Sequence, residues 1–185
     1  GIAMKELYLE TDRLILKTFN EEDYESWSNG FNNRLPSQYK YDEGYKIMEK
    51  ASNEWFSDWI KGFNKALEND EMYIMGIFRK EDGVNIGKVE LITILRMDYQ
   101  WAMMGYSIHN QYWKKGYGVE SVREAKKYFF DSLKFQRIEL HINVDNRPSE
   151  TLAKRAGFKY ECTREKFSME EEEWVDFLIY YALRE

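Results

Sequence analysis

The 185-residue sequence is short of cysteine, of positive charge and of long apolar runs, and each shortage argues against a class of protein. Its one cysteine, Cys162, cannot form an internal disulfide, so nothing in the sequence points to an oxidising compartment. Lys and Arg number 27 against 33 Asp and Glu, and the resulting formal charge of -6 argues against general nucleic-acid binding. No apolar run approaches the roughly 18 residues that a membrane-spanning helix needs.

Proline and linker sequences are also scarce. The only prolines are Pro36 and Pro148, and no Ser/Gly-rich stretch, repeat or low-complexity segment divides the chain. We therefore expect a single domain over residues 4–185, with Gly1 to Ala3 as a cloning remnant ahead of Met4. The first residues lack the basic and apolar segments of a secretion signal, so the sequence predicts a soluble, cytoplasmic protein.

Apolar side chains make up 43% of the residues, enough for a packed core, and their periodicity predicts an α/β (α+β) fold. We expect strands at Leu7–Lys17, Met72–Phe78, Ile86–Leu95, Trp101–Ile108, Arg137–Val144 and Trp174–Tyr181. Helices are expected to begin at Asn20 and to span Glu43–Leu67, Gly116–Leu133 and Asn146–Ala156. The acidic run Glu170–Glu173 fits a solvated hairpin turn. This order predicts a mixed, mostly antiparallel sheet of about six to seven strands with helices packed on it.

The segment from Tyr106 to Ser121 is the first candidate for chemistry. Within it a strand ends, a short loop follows, and an amphipathic helix then begins. A helix N-terminus offers free N–H groups to a phosphate, and Gly116 and Gly118 would let the backbone approach it closely. Lys114 and Lys115 add positive charge. The alternative is a glycine loop with solvated lysines. The signatures of the nucleoside-triphosphate loop and of the dinucleotide fingerprint are both missing.

A second candidate segment runs from Arg137 to Phe158. It consists of a strand, then Asn146 and Ser149 on the first turn of a helix, then Gly157 and Phe158 after the helix. Taken alone, Asn146 fits a simple helix cap.

Together these segments resemble the Gcn5-related N-acetyltransferase (GNAT) superfamily, in its ribosomal-protein N-terminal acetyltransferase (RimJ/RimL-like) branch. Tyr112-Trp-Lys-Lys-Gly-Tyr-Gly-Val-Glu-Ser resembles the acyl-CoA loop of that branch. Asn146-Arg-Pro-Ser followed by Ala156-Gly-Phe resembles its Asn-x-x-Ser and Gly-Phe signature. The opening Leu9-Glu-Thr-Asp-Arg-Leu-Ile-Leu-Lys and the closing Trp174-Val-Asp-Phe-Leu-Ile-Tyr resemble its first and last strands.

The resemblance implies a fold with helices on both faces of the sheet and acetyl-CoA bound in a cleft between two splayed strands. It implies that the backbone near Ser107 and Ile108 pairs with the pantetheine arm. It further implies a pyrophosphate cradle made by Lys114, Lys115, Gly116, Tyr117, Gly118 and Val119, with Trp113 also binding the cofactor. Asn146 would contact the cofactor near its thioester, and Ser149 would lie near the sulfur and donate a hydrogen bond to the leaving thiolate.

Two positions depart from the family pattern. Met103 stands where branch members often carry an acid, and Ala153 stands where many superfamily members carry a tyrosine acid. An attacking amine must still lose its proton, and the candidates for accepting it are Glu90, Asp98, Glu139 and His141, with a chain of waters as the alternative. Glu139 joins Asn146 and Ser149 in the predicted catalytic set, whereas His109 is expected to cap a strand end.

The branch name implies that the acceptor is a protein N-terminal amine. The alternatives are a small amine, such as a polyamine, an aminoglycoside or an amino-acid derivative, and a catalytically silent acyl-CoA-binding protein, suggested by Met103 and Ala153. A peptide needs an open groove and a small amine needs a closed pocket. The residues expected to contact the acceptor are Tyr39, Tyr41 and Tyr106. We expect no metal, no nucleic-acid or membrane partner, and a monomer or homodimer.

Overall fold

A single sheet organises the chain in the computed structural model, which describes residues 6–44 and 52–185. In these two ranges it contains eight strands: β1 Tyr8–Glu10, β2 Leu14–Lys17, β3 Met72–Arg79, β4 Asn85–Leu95, β5 Trp101–Ile108, β6 Arg137–Asn143, β7 Lys159–Glu170 and β8 Glu173–Leu183. The same ranges contain four α-helices: α1 Tyr24–Asn32, α2 Asn53–Glu68, α3 Tyr117–Leu133 and α4 Arg147–Arg155. The strand order is β1-β2-β3-β4-β5-β6-β8-β7, with β5 and β6 parallel and the other neighbours antiparallel.

The fold class is confirmed, but the predicted number of strands is too small. The single strand expected over Leu7–Lys17 is a hairpin of β1 and β2, and β7 was not predicted at all. β7 lies at the edge of the sheet and is mostly exposed, so its residues lack the apolar pattern that marks a buried strand. The hairpin turn expected at Glu170–Glu173 is confirmed between β7 and β8.

Capping residues set most of the helix starts. Asn20 caps the short 3₁₀ turn that leads into α1, and Asn146 caps α4, as expected. The predicted start of the second helix at Glu43 is wrong, because Glu43 and Gly44 lie in a loop and α2 begins at Asn53 after the cap Ser52. Residues 45–51 of that predicted helix lie outside the described residues, as do Gly1 to Ala3.

The two faces of the sheet bury different cores. Helices α3 and α4 cover one face, where Val122 and Phe129 pack with Ile138 and Leu140 of β6. Helices α1 and α2 cover the other face, where the packed side chains are mainly aromatic: Phe19, Trp27, Phe56, Trp59 and Phe78. The expected placement of helices on both faces is therefore confirmed.

The parallel pair β5–β6 is short and then opens. It is paired only at Trp101 with Arg137, Ala102 with Ile138, and Met103 with Glu139. Beyond these pairs, the remaining lengths of β5 and β6 are not hydrogen-bonded to each other, and each pairs only with its other neighbour, β4 or β8. We call this opening the fork. It corresponds to the splayed cleft that the resemblance implied.

Gly118 has a packing role that was not expected from the sequence. A Cβ at this position would lie 2.8 Å from Leu152 Cδ1 of α4, so the missing side chain allows α3 and α4 to pack closely. Gly62 in α2 offers a matched contrast, because a Cβ there meets nothing within 4 Å.

The same substitution is therefore expected to have opposite effects at these two helical glycines. Gly118→Leu should lower the free energy of unfolding by about 1–3 kcal/mol through overpacking. Gly62→Leu should raise it by up to about 1 kcal/mol, because leucine is a better helix former than glycine. Urea unfolding of both variants measures the difference. A Gly118→Leu protein as stable as wild type would show that Leu152 or α4 shifts at little cost to make room for the new side chain.

Candidate active site

The two arms of the fork lead to two different helix N-termini. The β5 arm ends at Ser107 and Ile108 and leads into the loop before α3. The β6 arm leads directly to Asn146 and Ser149 at the start of α4. Trp113 ties the loop back to its strand, because its indole Nε1–H donates to the Ile108 carbonyl at 2.7 Å.

The loop before α3 leaves backbone donors uncommitted. The first backbone hydrogen bond of the helix runs from the Glu120 N–H to the Gly116 carbonyl, so the N–H groups of Tyr117, Gly118 and Val119 have no acceptor within the helix. Gly116 has φ +81°, a left-handed conformation that glycine adopts at little cost. Lys114 and Lys115 are exposed beside these donors. Such an arrangement suits a phosphate group.

Arg13, on the hairpin of β1 and β2, holds this loop in place. Its Nε donates to Glu120 Oε1 at 2.8 Å, and its Nη1 donates to the Lys115 carbonyl at 2.8 Å. Burial raises the pKa of Glu120, but hydrogen bonds from Thr11 and Arg13 outweigh burial and leave the pKa below its usual value. Glu120 is therefore an anion that supports the loop, a role that the sequence did not indicate.

Four polar side chains meet across the fork, and we call them the fork cluster: Tyr39, Tyr106, Asn146 and Ser149. The hydroxyls of Tyr106 and Ser149 are 3.2 Å apart. The Ser149 N–H donates to Asn146 Oδ1 at 3.3 Å, and the Tyr39 hydroxyl donates to the same oxygen at 3.1 Å. Burial raises the pKa of both Tyr39 and Tyr106, so both phenols are protonated at neutral pH.

The segment 33–44 after α1 is fastened to the end of β5 by Asn110, which is 5% exposed. The Asn110 side-chain amide donates to the Leu35 carbonyl at 2.8 Å and to Asp42 Oδ2 at 2.9 Å, and its oxygen accepts from the Leu35 N–H at 2.7 Å. This anchor brings Tyr39 and Tyr41 to the fork. Asn110 was not predicted from the sequence, where the only local signal was an amide two residues after a strand.

His109 is a buried structural residue. Its Nδ1 accepts a hydrogen bond from Arg34 Nε at 2.8 Å, and its ring packs against Phe31. Burial, followed by the positive charge of Arg34, lowers the pKa of His109 to about 3. The imidazole is therefore neutral at physiological pH and takes part in holding segment 33–44.

Glu139 lies at the branch point of the fork, in register with Met103, and is fully buried. It accepts from Trp101 Nε1 at 2.9 Å and from Arg164 Nη2 at 3.1 Å, and the Nε2 of His141 is 3.7 Å away. Burial raises the pKa of Glu139, but its contacts with His141, Trp101 and Arg164 outweigh burial and lower the pKa overall. These contacts favour the anionic form of Glu139 and make it a weaker base, which argues against the predicted part in proton transfer.

The other candidates for accepting a proton are spread out. His141 lies two residues beyond the last β5–β6 pair, on the same side of β6 as Glu139. Glu90 lies beside Gly105 on the neighbouring strand. Asp98 is exposed in the turn before β5, at the closed end of the fork, so the structure does not bring it to the site.

A groove of about 1100 Å³ adjoins the β6 arm. Lys40, Tyr41, the β6–α4 junction and the hairpin of β7 and β8 line it, and five of its lining residues are acidic: Asp145, Glu170, Glu171, Glu173 and Asp176. Asp145 is hydrogen-bonded to Tyr41 and paired with Lys40 at 3.0 Å. Trp174 and Val144 are 59% and 50% exposed, so the groove is open to solvent. Of the three predicted acceptor residues, Tyr41 lines this groove, whereas Tyr39 and Tyr106 belong to the fork cluster.

The described parts of the chain contain neither a metal-binding cluster nor a membrane-spanning helix. Residues 6–44 and 52–185 contain no group of three His, Cys, Asp or Glu side chains placed to hold a metal ion. No helix in the same residues is long and apolar enough to cross a membrane.

The forked sheet with a phosphate-type loop at its mouth agrees with the class of protein that the sequence motifs indicated, the N-acetyltransferases. A family model described as acetyltransferase (GNAT) domain matches residues 13–159, which is most of the chain, and the chain belongs to this family. The family and the enzyme class inferred from the motifs are thereby confirmed.

Several known proteins are similar to this chain. The probable N-acetyltransferase YjcK of Bacillus subtilis is 39% identical over 95 residues, which is 51% of this chain and 52% of YjcK. The [ribosomal protein uS5]-alanine N-acetyltransferase of Escherichia coli is 23% identical over 179 residues, with 92% of this chain and 88% of the relative covered. The structure of Mycobacterium smegmatis RimJ in complex with CoA-disulfide superposes with a TM-score of 0.76 at 16% identity, over 92% of this chain and 81% of RimJ. At that identity the superposition supports the fold alone.

The buried, neutral His109 is expected to make the protein less stable in acid. Between pH 6.5 and about 3 the unfolded chain binds a proton at this residue that the native protein does not. The free energy of unfolding should therefore fall by up to about 1.4 kcal/mol per pH unit below pH 6.5 on account of this residue. Urea unfolding of wild type and His109→Gln across this range measures the contribution, and the variant should show the shallower dependence. Parallel curves would mean that folding does not lower the pKa of His109.

Proposed function

We propose that this protein transfers the acetyl group of acetyl-CoA to a primary amine, and that the acceptor is the α-amine of a protein N-terminus. The observation that carries the proposal is the fork itself. One arm leads to the uncommitted N–H groups at the start of α3, and the other leads to an open, acidic groove. An acetyl donor that carries phosphate would thus reach the fork along one arm, and a cationic acceptor would reach it along the other.

The residues around the fork fit acetyl-CoA. In the proposal, the free edge of β5 at Ser107 and Ile108 pairs with the pantetheine arm, because strand edges without partners readily form hydrogen bonds. The pyrophosphate is received by the backbone from Lys114 to Val119, with Trp113 bracing the loop and Tyr117 at the helix start. The side chains of Lys114 and Lys115 add attraction for phosphate that salt would weaken.

The thioester end of acetyl-CoA is assigned to the fork cluster. Asn146 holds the first turn of α4 through its bond to the Ser149 N–H, and Ser149 presents its hydroxyl to the leaving sulfur. The amine must arrive neutral to attack the thioester carbon directly. Because Glu139 is enclosed by Trp101 and Arg164, we assign it the task of holding the branch point, and His141, Glu90 and water stay the candidates for accepting the proton.

The open groove favours a peptide over a small amine. A small amine would be expected in a closed pocket, yet the rim residue Trp174 is more than half exposed. The acids along the groove favour a positively charged acceptor, such as a peptide with basic residues near its N-terminus. The uS5-alanine N-acetyltransferase relative supports a protein acceptor by its name. A cytoplasmic location, a monomer or homodimer and the absence of a nucleic-acid partner stay predictions from the sequence.

Thiol release from acetyl-CoA, followed with a thiol reagent, tests the proposal directly. The acceptors are peptides with free basic, neutral and acidic N-terminal segments, alongside polyamines, aminoglycosides and amino acids. We expect fastest release with basic peptides, and no release when the peptide N-terminus is blocked, because a blocked amine has no lone pair available for attack. Release with small amines alone would favour the small-molecule alternative. A thermal shift with acetyl-CoA but no release from any acceptor would favour a silent acyl-CoA-binding protein.

Charge reversal in the groove should weaken acceptor binding selectively. We expect Glu171→Lys combined with Glu173→Lys to raise KM for a basic peptide about tenfold, a cost of about 1.4 kcal/mol, with kcat at saturating peptide little changed. The effect should shrink at high salt. The matched control is Glu22→Lys with Glu68→Lys, which makes the same change in net charge at exposed positions that do not line the groove. Equal effects from the two pairs would show that net charge, and not the groove, governs KM.

A further inference from the structure

The fork cluster contains a phenol to which the proposed function gives no part in the transfer of the acetyl group. Tyr106 lies on β5, three residues beyond the last β5–β6 pair at Met103. Its hydroxyl reaches across the fork to within 3.2 Å of Ser149 Oγ on α4. This contact joins the two arms close to where the proposal puts the leaving sulfur.

Ser149 needs a source of protons if it is to protonate a thiolate. An aliphatic hydroxyl is a very weak acid, so a serine that gave up its proton alone would become an unstable alkoxide. Among the described residues, Tyr106 is the titratable side chain in hydrogen-bond contact with the Ser149 hydroxyl. One turn further along α4, Ala153 is fully buried and has no proton to give.

The surroundings of Tyr106 keep its hydroxyl protonated, so that it has a proton to donate. Its ring packs against the core formed with α3 and α4. Burial raises the pKa of Tyr106, although the bond with Ser149 opposes the shift, so the phenol keeps its proton at neutral pH. A phenol remains a far stronger acid than an aliphatic hydroxyl.

We propose that Tyr106 supplies, through the Ser149 hydroxyl, the proton that the leaving thiolate takes up, an inference that rests on the proposed function. The amine nitrogen forms its bond to the acyl carbon, and the carbon–sulfur bond breaks with its electron pair on sulfur. Sulfur takes the Ser149 proton while Ser149 takes the Tyr106 proton. The proton lost by the amine passes to solvent, and solvent returns one to the tyrosinate, so CoA leaves as a thiol. Tyr106 contacts Ser149 and not the reacting atoms, so it is a positioning residue that acts through Ser149.

The test separates proton donation from packing by changing the leaving group. Tyr106→Phe keeps the ring and removes the hydroxyl. With acetyl-CoA, kcat should fall about 100-fold, the lower end of the range typical for loss of general acid–base catalysis. With the Se-acetyl analogue, in which selenium replaces the thioester sulfur, the loss should nearly vanish, because a selenolate is a weak base that leaves without a proton.

A double variant and a matched control complete the experiment. Tyr106→Phe combined with Ser149→Ala should be no slower than Ser149→Ala alone, because both residues serve one proton transfer. Tyr180→Phe is the control, since it removes another buried phenol hydroxyl, one that donates to Glu150 of the same helix at 2.7 Å. It should leave the ratio of kcat values for the two donors as in wild type.

Two results would overturn the inference while wild type remains active. An equal loss with both donors would mean that Tyr106 only supports the site, and an unchanged kcat with acetyl-CoA would mean that it has no part in the reaction. Failure of the proposed function looks different, because wild type itself would then release no thiol from acetyl-CoA with any acceptor. In that case both proposals would fall together.

Discussion

The site depends on one constraint, namely that β5 and β6 pair over three residues and then separate. The closed end of the pair is held by the Gln100 carbonyl, which accepts from the N–H groups of Gln136 and Arg137 at 2.7 and 3.2 Å. At the branch point, the buried carboxylate of Glu139 is held by Trp101 and Arg164. Removing one partner from such a buried ionic group is costly, so the position of the branch point is well determined.

The separation of β5 and β6 determines which elements form the site. Each arm delivers its own helix N-terminus, α3 from β5 and α4 from β6, and these carry the phosphate-type loop and the Asn146–Ser149 turn. Segment 33–44 then joins the arms again. Asn110 fastens it to the β5 side, and Tyr39 and Tyr41 bond to Asn146 and Asp145 on the β6 side. The acidic groove therefore depends on contacts between segments more than 60 residues apart in sequence.

Polar groups in this protein take their roles from burial more than from residue type. The two histidines illustrate this, because His109 is a buried, neutral acceptor for Arg34, whereas His141 lies beside the anion of Glu139. The two phenols of the fork cluster keep their protons through burial and can act as donors. Glu139 is a candidate base from its position on β6, but it is fully buried and its carboxylate is hydrogen-bonded to Trp101 and Arg164.

The sequence by itself determined the local features: the strands from β3 to β6, the caps Asn20 and Asn146, the turn between β7 and β8, and the motifs that resemble the GNAT family. These are readable because periodicity and capping depend on neighbouring residues. The tertiary structure alone decided that edge strand β7 pairs with β8, that Gly118 faces Leu152, that Glu139 is enclosed and that Tyr106 meets Ser149. The physical reason is that register and packing join residues far apart in sequence, and no local pattern records which distant partner a side chain will find.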